Sequence, residues 1–351
     1  NEADRLLSPL FEIEPNNEEL YIQKANIFSK KDQHEKAIEV FKKAIEIAED
    51  SADLYSLIGM EYLFLDKYQD AKQNFIKCIE LDLEDYSALY NIIYCFDFLD
   101  ETTETIEYLN EYLDKNPYSE VAWHQLGRQY VETKQAEKAL AAFDFAIISD
   151  DTFIGAYLEK AKVLEKLKRF DEAIENYKIT IAIEDSTAYA LIKIGYCYER
   201  LKNTDLALQH YYQAVEEDPA SDKGWMRITK FFITKKDYQK ALFYITKAID
   251  IDADNASYWL LYSTINERLL LLEEAERGYK KTLELGDCEL STWLSRGDIL
   301  IKLGEYDAAK FNFVQALEYH QKSEELEYRL SGVCLKLNNM DAGYAHLLTG
   351  L

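Results

Sequence analysis

The sequence predicts an all-α protein, built as an α-solenoid from a row of helical hairpins. Three observations lead to this prediction. Only 12 of the 351 residues are glycine and 4 are proline, whereas 48% are hydrophobic, so the chain can bury a core and continue long helices. Small residues recur every 34 positions along the chain. Within each period, apolar residues follow two separate helical faces.

Alanine marks the period. With Glu18 counted as repeat position 1, position 20 is a small residue throughout, and Thr105 and Gly343 fill the two points that lack alanine. The alanines are Ala37, Ala71, Ala139, Ala173, Ala207, Ala241, Ala275 and Ala309. Because no insertion or deletion breaks the spacing, it indicates a repeat architecture rather than separate globular domains.

Each period reads as a first helix, a turn and a second helix. Apolar residues at repeat positions 4, 7 and 11 share one helical face, and those at positions 20, 24 and 27 share another. The tryptophans at position 4 are Trp123, Trp225, Trp259 and Trp293. The turn is expected near Asp32, Asp66, Lys134 and Gly304. Small residues at positions 8, 20 and 27 let the two helices approach, and such a hairpin must stack on its neighbours to bury both faces.

In chain order, the prediction is one continuous solenoid. Residues 1–17 read as the second helix of a truncated leading repeat, and ten tandem repeats follow, the last of them truncated. The repeats are 18–51, 52–85, 86–119, 120–153, 154–187, 188–221, 222–255, 256–289, 290–323 and 324–351. Since the chain opens and closes inside a repeat, we expect it to be a segment of a longer protein. The repeat 86–119 has Ile93, Thr105 and Tyr112 where smaller residues are usual, so its packing should be distorted.

This pattern resembles the tetratricopeptide repeat (TPR), whose 34-residue signature is W/Y, L-G, Y, A, F, A and P. The clearest copy has Trp123, Gly127, Tyr130, Ala139, Phe143 and Ala146, and a second has Trp293, Gly297, Tyr306, Ala309, Phe313 and Ala316. The resemblance covers essentially the whole chain. It implies a right-handed superhelix of helix-turn-helix repeats whose role is protein binding.

Composition and motifs argue against several classes of function. A net charge of −25, from 40 basic and 65 acidic residues, predicts no nucleic-acid binding because it repels a phosphate backbone. The sequence has no run of about 18 apolar residues, which predicts no direct membrane insertion. It has no phosphate-binding, metal-binding or nucleophile motif, so we predict no enzyme activity, no cofactor and no metal. The five widely spaced cysteines lean the otherwise unknown localisation toward a reducing cytoplasm.

The first candidate surface, the acidic aromatic face, lies on the first helices of the first three repeats. In the resembling family, repeat positions 2, 5, 6, 9, 12 and 13 line a concave groove that holds peptides. Here several of them are apolar: Ile22, Met60, Leu63, Phe64, Tyr90, Tyr94 and Phe98. Residues 79–114 contain many carboxylates and no lysine or arginine, so the face suits a peptide with hydrophobic anchors and basic flanks. The alternative is that these side chains pack against neighbouring first helices.

The second candidate surface, the basic face, is positive within an acidic protein. It consists of Arg128, Lys162, Lys193, Tyr196, Lys223, Arg227 and Lys230. Such a surface favours a carboxylate or a phosphate. The alternative is that these cations pair with Glu159, Glu165 and Glu199.

The basic face also overlaps a known motif of the resembling family. Chaperone-binding members hold acidic C-terminal tails with a carboxylate clamp of Lys, Asn, Asn, Lys and Arg. The matching positions here are Leu158, Lys162, Lys193, Lys223 and Arg227. Only Lys223 and Arg227 keep the family residue, so the sequence departs from the clamp at three positions.

We therefore predict a non-enzymatic protein-protein interaction scaffold or adaptor that binds a peptide or partner protein in its concave groove. The main alternative is an accessory segment of a larger enzyme or of a secretion or assembly machine, whose catalytic or membrane part lies outside this chain. A third alternative is self-association through exposed repeat ends. The partner's identity does not follow from the sequence, because the residues that maintain the fold are not those that select a ligand.

Overall fold

The computed structural model describes residues 2–48, 51–183 and 187–350, and the secondary structure in these ranges is helical, without a strand. The all-α prediction is therefore confirmed for the described residues. The chain divides into an N-terminal unit, Asn1–Lys168, and a C-terminal unit, Arg169–Leu351. The predicted segments 1–17, 18–51, 154–187 and 324–351 each include residues outside the described ranges, and the division into ten repeats in one continuous solenoid stays a prediction.

The N-terminal unit contains ten helices in its described part. They are α1 (Glu2–Ile13), α2 (Glu18–Ser29), α3 (His34–Ala48), α4 (Ala52–Phe64), α5 (Tyr68–Leu81), α6 (Tyr86–Phe98), α7 (Thr102–Lys115), α8 (Glu120–Glu132), α9 (Ala136–Ser149) and α10 (Ile154–Lys166). Helices α2 and α3, α4 and α5, and α8 and α9 pack closely as hairpins.

The C-terminal unit contains eleven helices in its described part. They are α11 (Phe170–Ile183), α12 (Ala188–Arg200), α13 (Thr204–Glu217), α14 (Asp222–Thr234), α15 (Tyr238–Ile251), α16 (Ala256–Arg268), α17 (Leu272–Glu284), α18 (Leu290–Leu303), α19 (Tyr306–Tyr319), α20 (Glu324–Lys336) and α21 (Met340–Thr349). From α12 onward, the helices pack closely in consecutive pairs.

Capping side chains fix where most first helices begin. In α4, α6, α8, α14 and α20 the residue before the helix accepts a hydrogen bond from the third backbone N–H that follows it. These capping residues are Ser51, Asp85, Ser119, Ser221 and Ser323. Serine and aspartate satisfy N–H groups that the helix itself leaves unpaired, so the start of each helix is encoded locally.

A left-handed residue at repeat position 15 ends each first helix. The residues with positive φ at this position are Asp32, Asp66, Asp100, Lys134, Lys168, Lys202, Lys236, Leu270, Gly304 and Asn338. The turn predicted near Asp32, Asp66, Lys134 and Gly304 is present. Only Gly304 is a glycine, so the other turns hold a side chain in a backbone region that L-residues enter at a cost.

In the hairpins with glycine at position 8, the core depends on a bulky residue at position 24 that lies over this glycine. A Cβ added to Gly127 would lie 2.5 Å from the Phe143 ring, and one added to Gly297 would lie 2.1 Å from the Phe313 ring. Both rings are fully buried. The missing side chain therefore provides the space into which the ring packs.

The tryptophans at position 4 tie the first helix to the preceding loop. The indole Nε1 atoms of Trp123, Trp225 and Trp259 each donate to the backbone carbonyl six residues earlier, at 2.8 to 2.9 Å. In Trp293 the buried Nε1 has no partner within the described residues. Tryptophan at position 4 thus contributes a local hydrogen bond in addition to apolar packing.

The repeat predicted to be distorted differs from its neighbours. Helices α6 and α7 approach each other much less closely than α4 and α5 or α8 and α9. Ile93, Thr105 and Tyr112 are all buried, and the Tyr112 hydroxyl donates a hydrogen bond to the backbone carbonyl of Leu83, before α6. The expected distortion is therefore confirmed, and it lies in the repeat that carries Tyr94 and Phe98.

A partly buried histidine, whose ring nitrogens are buried, lies against aromatic residues of the N-terminal unit. The His124 ring lies 5.8 Å from the Phe143 ring and 5.2 Å from the Phe153 ring, centroid to centroid. Neither ring nitrogen has a hydrogen-bond partner within the described residues. Desolvation lowers the pKa of His124 to about 4, with a further decrease from Arg128 and Lys162 and an opposing effect of Glu159.

The first testable prediction concerns the position 8 glycine. Gly297→Ala should lower the free energy of unfolding by about 1 to 3 kcal/mol, because the new Cβ clashes with Phe313. Thermal unfolding followed by circular dichroism measures the change. Gly332→Ala is the control, since its added Cβ meets nothing within 4 Å and alanine favours the helix by up to about 1 kcal/mol. Equal destabilisation by the two substitutions would contradict the packing argument.

The second prediction concerns acid stability. As pH falls from 6.5 toward 4, the unfolded chain protonates His124 while the folded chain does not, so the wild type should lose about 2 to 3 kcal/mol through this residue. His124→Leu should remove that loss, and leucine is already present at the equivalent Leu158. Urea unfolding at pH 8 and at pH 4.5 compares the two proteins. An identical pH dependence in both would show that His124 does not contribute.

Candidate functional site

The acidic aromatic face is displayed by α4 and α6 in the N-terminal unit. Met60 and Phe64 lie on α4, and Tyr90, Tyr94 and Phe98 lie on α6 at intervals of four residues, which places each set on one side of its helix. Their side chains are between 37% and 60% exposed. The Asn91 Nδ2 atom lies 3.6 Å from the Met60 Sδ atom and joins the two helices.

Three rings of this face form an aromatic platform. Tyr68 stacks on Phe98 at 4.2 Å with nearly parallel planes, and the Tyr94 ring lies 5.1 Å from Phe98 and 6.2 Å from Tyr68. The sequence analysis missed Tyr68, because it lies at the start of the second helix α5. The platform consists of Tyr68, Tyr94 and Phe98.

The signal that could have found Tyr68 is a spacing of 30 residues. Tyr68 and Phe98 are 30 residues apart, as are His34 and Phe64, whose rings also stack, at 4.9 Å. The ring at repeat position 17 therefore meets the ring at position 13 of the next repeat. For Phe64 and Phe98, the ring contacts thus go to the starts of second helices rather than to neighbouring first helices.

Carboxylates surround the platform. Tyr68 donates a hydrogen bond to Asp66 at 3.0 Å. The pKa of Tyr68 is raised to about 12, mainly by desolvation and secondly by the neighbouring Asp66 carboxylate. Asp97 accepts a hydrogen bond from Gln129 at 3.4 Å and remains exposed. The nearby Lys72 is buried and paired with Glu101, so its charge is already compensated.

The basic face is divided between the two units. Arg128 and Lys162 belong to the N-terminal unit, together with the clamp position Leu158, and the remaining residues belong to the C-terminal unit. Arg128 is exposed and donates to Gln125 at 3.4 Å. Lys162 pairs with Glu159 at 2.8 Å, as the alternative interpretation of this face expected.

In the C-terminal unit, Tyr196 lies between two cations. The Arg227 guanidinium carbon is 4.9 Å from the centre of the Tyr196 ring, and Lys193 Nζ is 6.0 Å from it. Lys193 also lies 5.9 Å from the ring of Tyr189, which the sequence analysis did not select. These distances are those of cation–π contacts, which hold the cations beside the ring.

Two carboxylates on the same helices, α12 and α14, accept hydrogen bonds from tyrosine hydroxyls. Glu199 accepts a hydrogen bond from Tyr211 at 2.8 Å, and Asp222 accepts one from Tyr258. On α14, Lys223, Arg227 and Lys230 follow one another at intervals of four and three residues, so they share a side of the helix. This side of α14 is therefore positively charged in an acidic protein.

Helices in the described ranges are too short or too polar to cross a bilayer. Ligand binding at the twelve predicted residues stays a prediction. These are Met60, Phe64, Tyr90, Tyr94, Phe98, Arg128, Lys162, Lys193, Tyr196, Lys223, Arg227 and Lys230.

Two curated proteins are similar to parts of this chain. Anaphase-promoting complex subunit 3 of Schizosaccharomyces pombe is 27% identical over 160 residues, which are 46% of this chain and 24% of that protein. The protein O-mannosyl-transferase TMTC3 of Homo sapiens is 24% identical over 188 residues, which are 48% of this chain and 20% of that protein. The chain thus spans about a quarter or less of these relatives.

Two solved structures are also similar. The hetero-tetramer of Cut9 and Hcn1 from the APC/C matches with a TM-score of 0.46 and 13% identity, over 90% of this chain and 76% of that chain. The C-terminal part of a TPR repeat-containing protein from Cytophaga hutchinsonii matches with a TM-score of 0.47 and 16% identity, over 78% of this chain and 98% of that chain.

Matches to family models identify the family of this chain. One model, described as a tetratricopeptide repeat, matches residues 18–51, 52–85, 223–255 and 290–322. Another with the same description matches residues 158–222, and together the matches cover more than half of the chain. Such repeats indicate a protein-protein interaction scaffold. The regular hairpins and these matches together place the chain in the tetratricopeptide repeat family.

Proposed function

We propose that this chain is a non-enzymatic scaffold that binds a peptide or partner protein on its first helices, at the acidic aromatic face of the N-terminal unit. One observation carries the proposal. Met60, Phe64, Tyr90, Tyr94 and Phe98 remain 37% to 60% exposed, whereas the apolar side chains of the hairpin cores are buried. Because exposed apolar side chains in a cluster are unfavourable in water, a partner that covers them gains binding free energy.

The charge around this face selects the partner's composition. Residues 79–114 provide carboxylates and no lysine or arginine, so a basic segment is attracted and an acidic one is repelled. The rings provide apolar contact, and each half-exposed aromatic side chain contributes on the order of 1 kcal/mol when covered. A peptide with apolar anchors and basic flanks satisfies both requirements.

A second binding face is favoured by the cations of the C-terminal unit. Lys223, Arg227 and Lys230 share one side of α14, while Glu199 and Asp222 already accept hydrogen bonds from tyrosines. An acidic peptide, carrying carboxylate or phosphate groups, would compensate this charge. The contact between Arg227 and Tyr196 positions the guanidinium before the ligand arrives.

An accessory segment of a larger enzyme or assembly is the second candidate function. The observation that favours it is the length of the relatives, one named as a complex subunit and the other as a transferase, since the matches cover only 24% and 20% of them. In such a protein the catalytic part would lie elsewhere, and the repeats would still bind a peptide or partner.

The third prediction tests the acidic aromatic face. Peptides selected from a random library on the intact chain should include an apolar and basic class. The double substitution Met60→Glu and Phe64→Glu should weaken that class at least about tenfold, which corresponds to the loss of about 1.4 kcal/mol. Fluorescence anisotropy measures the affinity. The substitution pair Lys193→Glu and Arg227→Glu is the control and should leave this class unchanged. If neither pair of substitutions changes the affinity of these peptides, the result would contradict their binding at either face.

The fourth prediction tests the basic face with a reciprocal outcome. Acidic peptides from the same selection should lose at least about tenfold in affinity when Lys193 and Arg227 are replaced by glutamate. They should keep their affinity in the protein with Met60→Glu and Phe64→Glu. Raising the salt concentration should weaken them in the wild type, because the attraction is largely between exposed charges. Acidic peptides that bind equally well to both variants would rule out this face.

A further inference from the structure

We propose that the aromatic platform of Tyr68, Tyr94 and Phe98 binds an arginine side chain of the partner. This inference rests on the proposed function of the acidic aromatic face and names the group that the face recognises. It follows from three independent features: the arrangement of the rings, the uncompensated negative charge beside them, and the way the same chain covers equivalent rings in its C-terminal unit.

The ring arrangement favours a flat cation. Because Tyr68 and Phe98 stack at 4.2 Å, they cover one face of each other and leave no space for an ion between them. The remaining surface is open, since 47% of Tyr94 and 55% of Phe98 is exposed. A planar guanidinium can lie on such an open ring face, whereas the compact ammonium of lysine gains most from enclosure by several rings.

The carboxylates beside the platform form no ion pair within the described residues. Asp66 is linked to the platform through the Tyr68 hydroxyl, and Asp97 lies on α6 between Tyr94 and Phe98 in sequence and is exposed. Lys72 is buried and engaged by Glu101. A cation supplied by the partner would therefore meet both a ring face and a carboxylate, and the five N–H donors of a guanidinium can bond to Asp97 while its plane stacks.

The C-terminal unit shows how this chain covers the same ring positions. Tyr196 occupies repeat position 9, as Tyr94 does, and Arg227 from position 6 of the next repeat covers it at 4.9 Å. The residue that corresponds to Arg227 next to Tyr94 is Gln125, which is buried and uncharged. Among the described residues, the position that supplies an arginine to Tyr196 therefore supplies a glutamine next to Tyr94.

A second pair of positions repeats the comparison. Phe170 occupies position 17, as Tyr68 does, and the guanidinium carbon of Arg200 from position 13 lies 5.8 Å from its ring centre. At the platform the position 13 residue is Phe98, so Tyr68 stacks on a second aromatic ring where Phe170 contacts an arginine. At two equivalent positions the fold thus accommodates a guanidinium against an aromatic ring, and the platform offers the rings without the cation.

The fifth prediction uses synthetic peptides as probes of the intact chain. A nine-residue peptide of alternating leucine and arginine should bind at least about fivefold more tightly than the same peptide with lysine, and also more tightly than the same peptide with citrulline, which keeps the shape but not the charge. Isothermal titration calorimetry at one fixed salt concentration gives the three affinities. The double substitution Tyr94→Ala and Phe98→Ala should abolish the preference for arginine over lysine.

The control is Tyr94→Phe, which keeps the ring and should keep the preference for arginine. Thermal unfolding of each variant verifies that the exposed substitutions leave the fold intact. Equal affinity for arginine and lysine peptides, or a preference that survives the loss of both rings, would overturn the inference. If the arginine and lysine peptides bind equally well and Met60→Glu with Phe64→Glu weakens both, the peptide-binding function stands and only the arginine specificity fails. If no peptide binds, both proposals are overturned.

Discussion

The close approach of two helices within each hairpin is the constraint on which the rest of the structure depends. A large buried side chain at repeat position 24 packs where position 8 has little or no side chain, as Phe143 does over Gly127 and Phe313 over Gly297. This contact commits one side of every first helix to the core. The opposite side is left to carry residues that the fold does not require, and both candidate faces lie there. Fold and recognition therefore use separate positions of the same helix, so one can change without the other.

The repeat that departs from this rule carries two of the three platform rings, Tyr94 and Phe98. α6 and α7 do not approach as closely as the helices of the neighbouring hairpins, and Ile93, Thr105 and Tyr112 are buried in this repeat. The same α6 helix displays Tyr90, Tyr94 and Phe98 on its exposed side. Natural sequences tend to break a local rule where function requires it, so the coincidence of looser packing and exposed rings in one repeat supports a binding role for α6.

The sequence could predict the fold because its information is periodic. Small residues at positions 8 and 20 and the turn near Asp32, Asp66, Lys134 and Gly304 repeat at 34 residues, and such a signal needs no knowledge of tertiary contacts. The candidate site was only partly predictable. Tyr68 was missed because its contact with Phe98 joins two different repeats, and the helical pattern of one repeat cannot reveal which side chains meet across a junction. Likewise, the sequence predicted both Tyr196 and Arg227 but not that one covers the other.

Both units have aromatic rings at repeat positions 9 and 17, and they differ in whether an arginine of the chain covers these rings. In the C-terminal unit, Arg227 and Arg200 cover Tyr196 and Phe170, so ring and cation are both supplied by the chain. In the described part of the N-terminal unit, no arginine covers Tyr94 or Phe98, and the carboxylates around them favour a cation from the partner. The net charge of −25 does not distinguish these cases, because recognition depends on which charges lie beside which rings. A solenoid built from equivalent positions can thus obtain opposite specificities by placing the arginine either in its own next helix or in its partner.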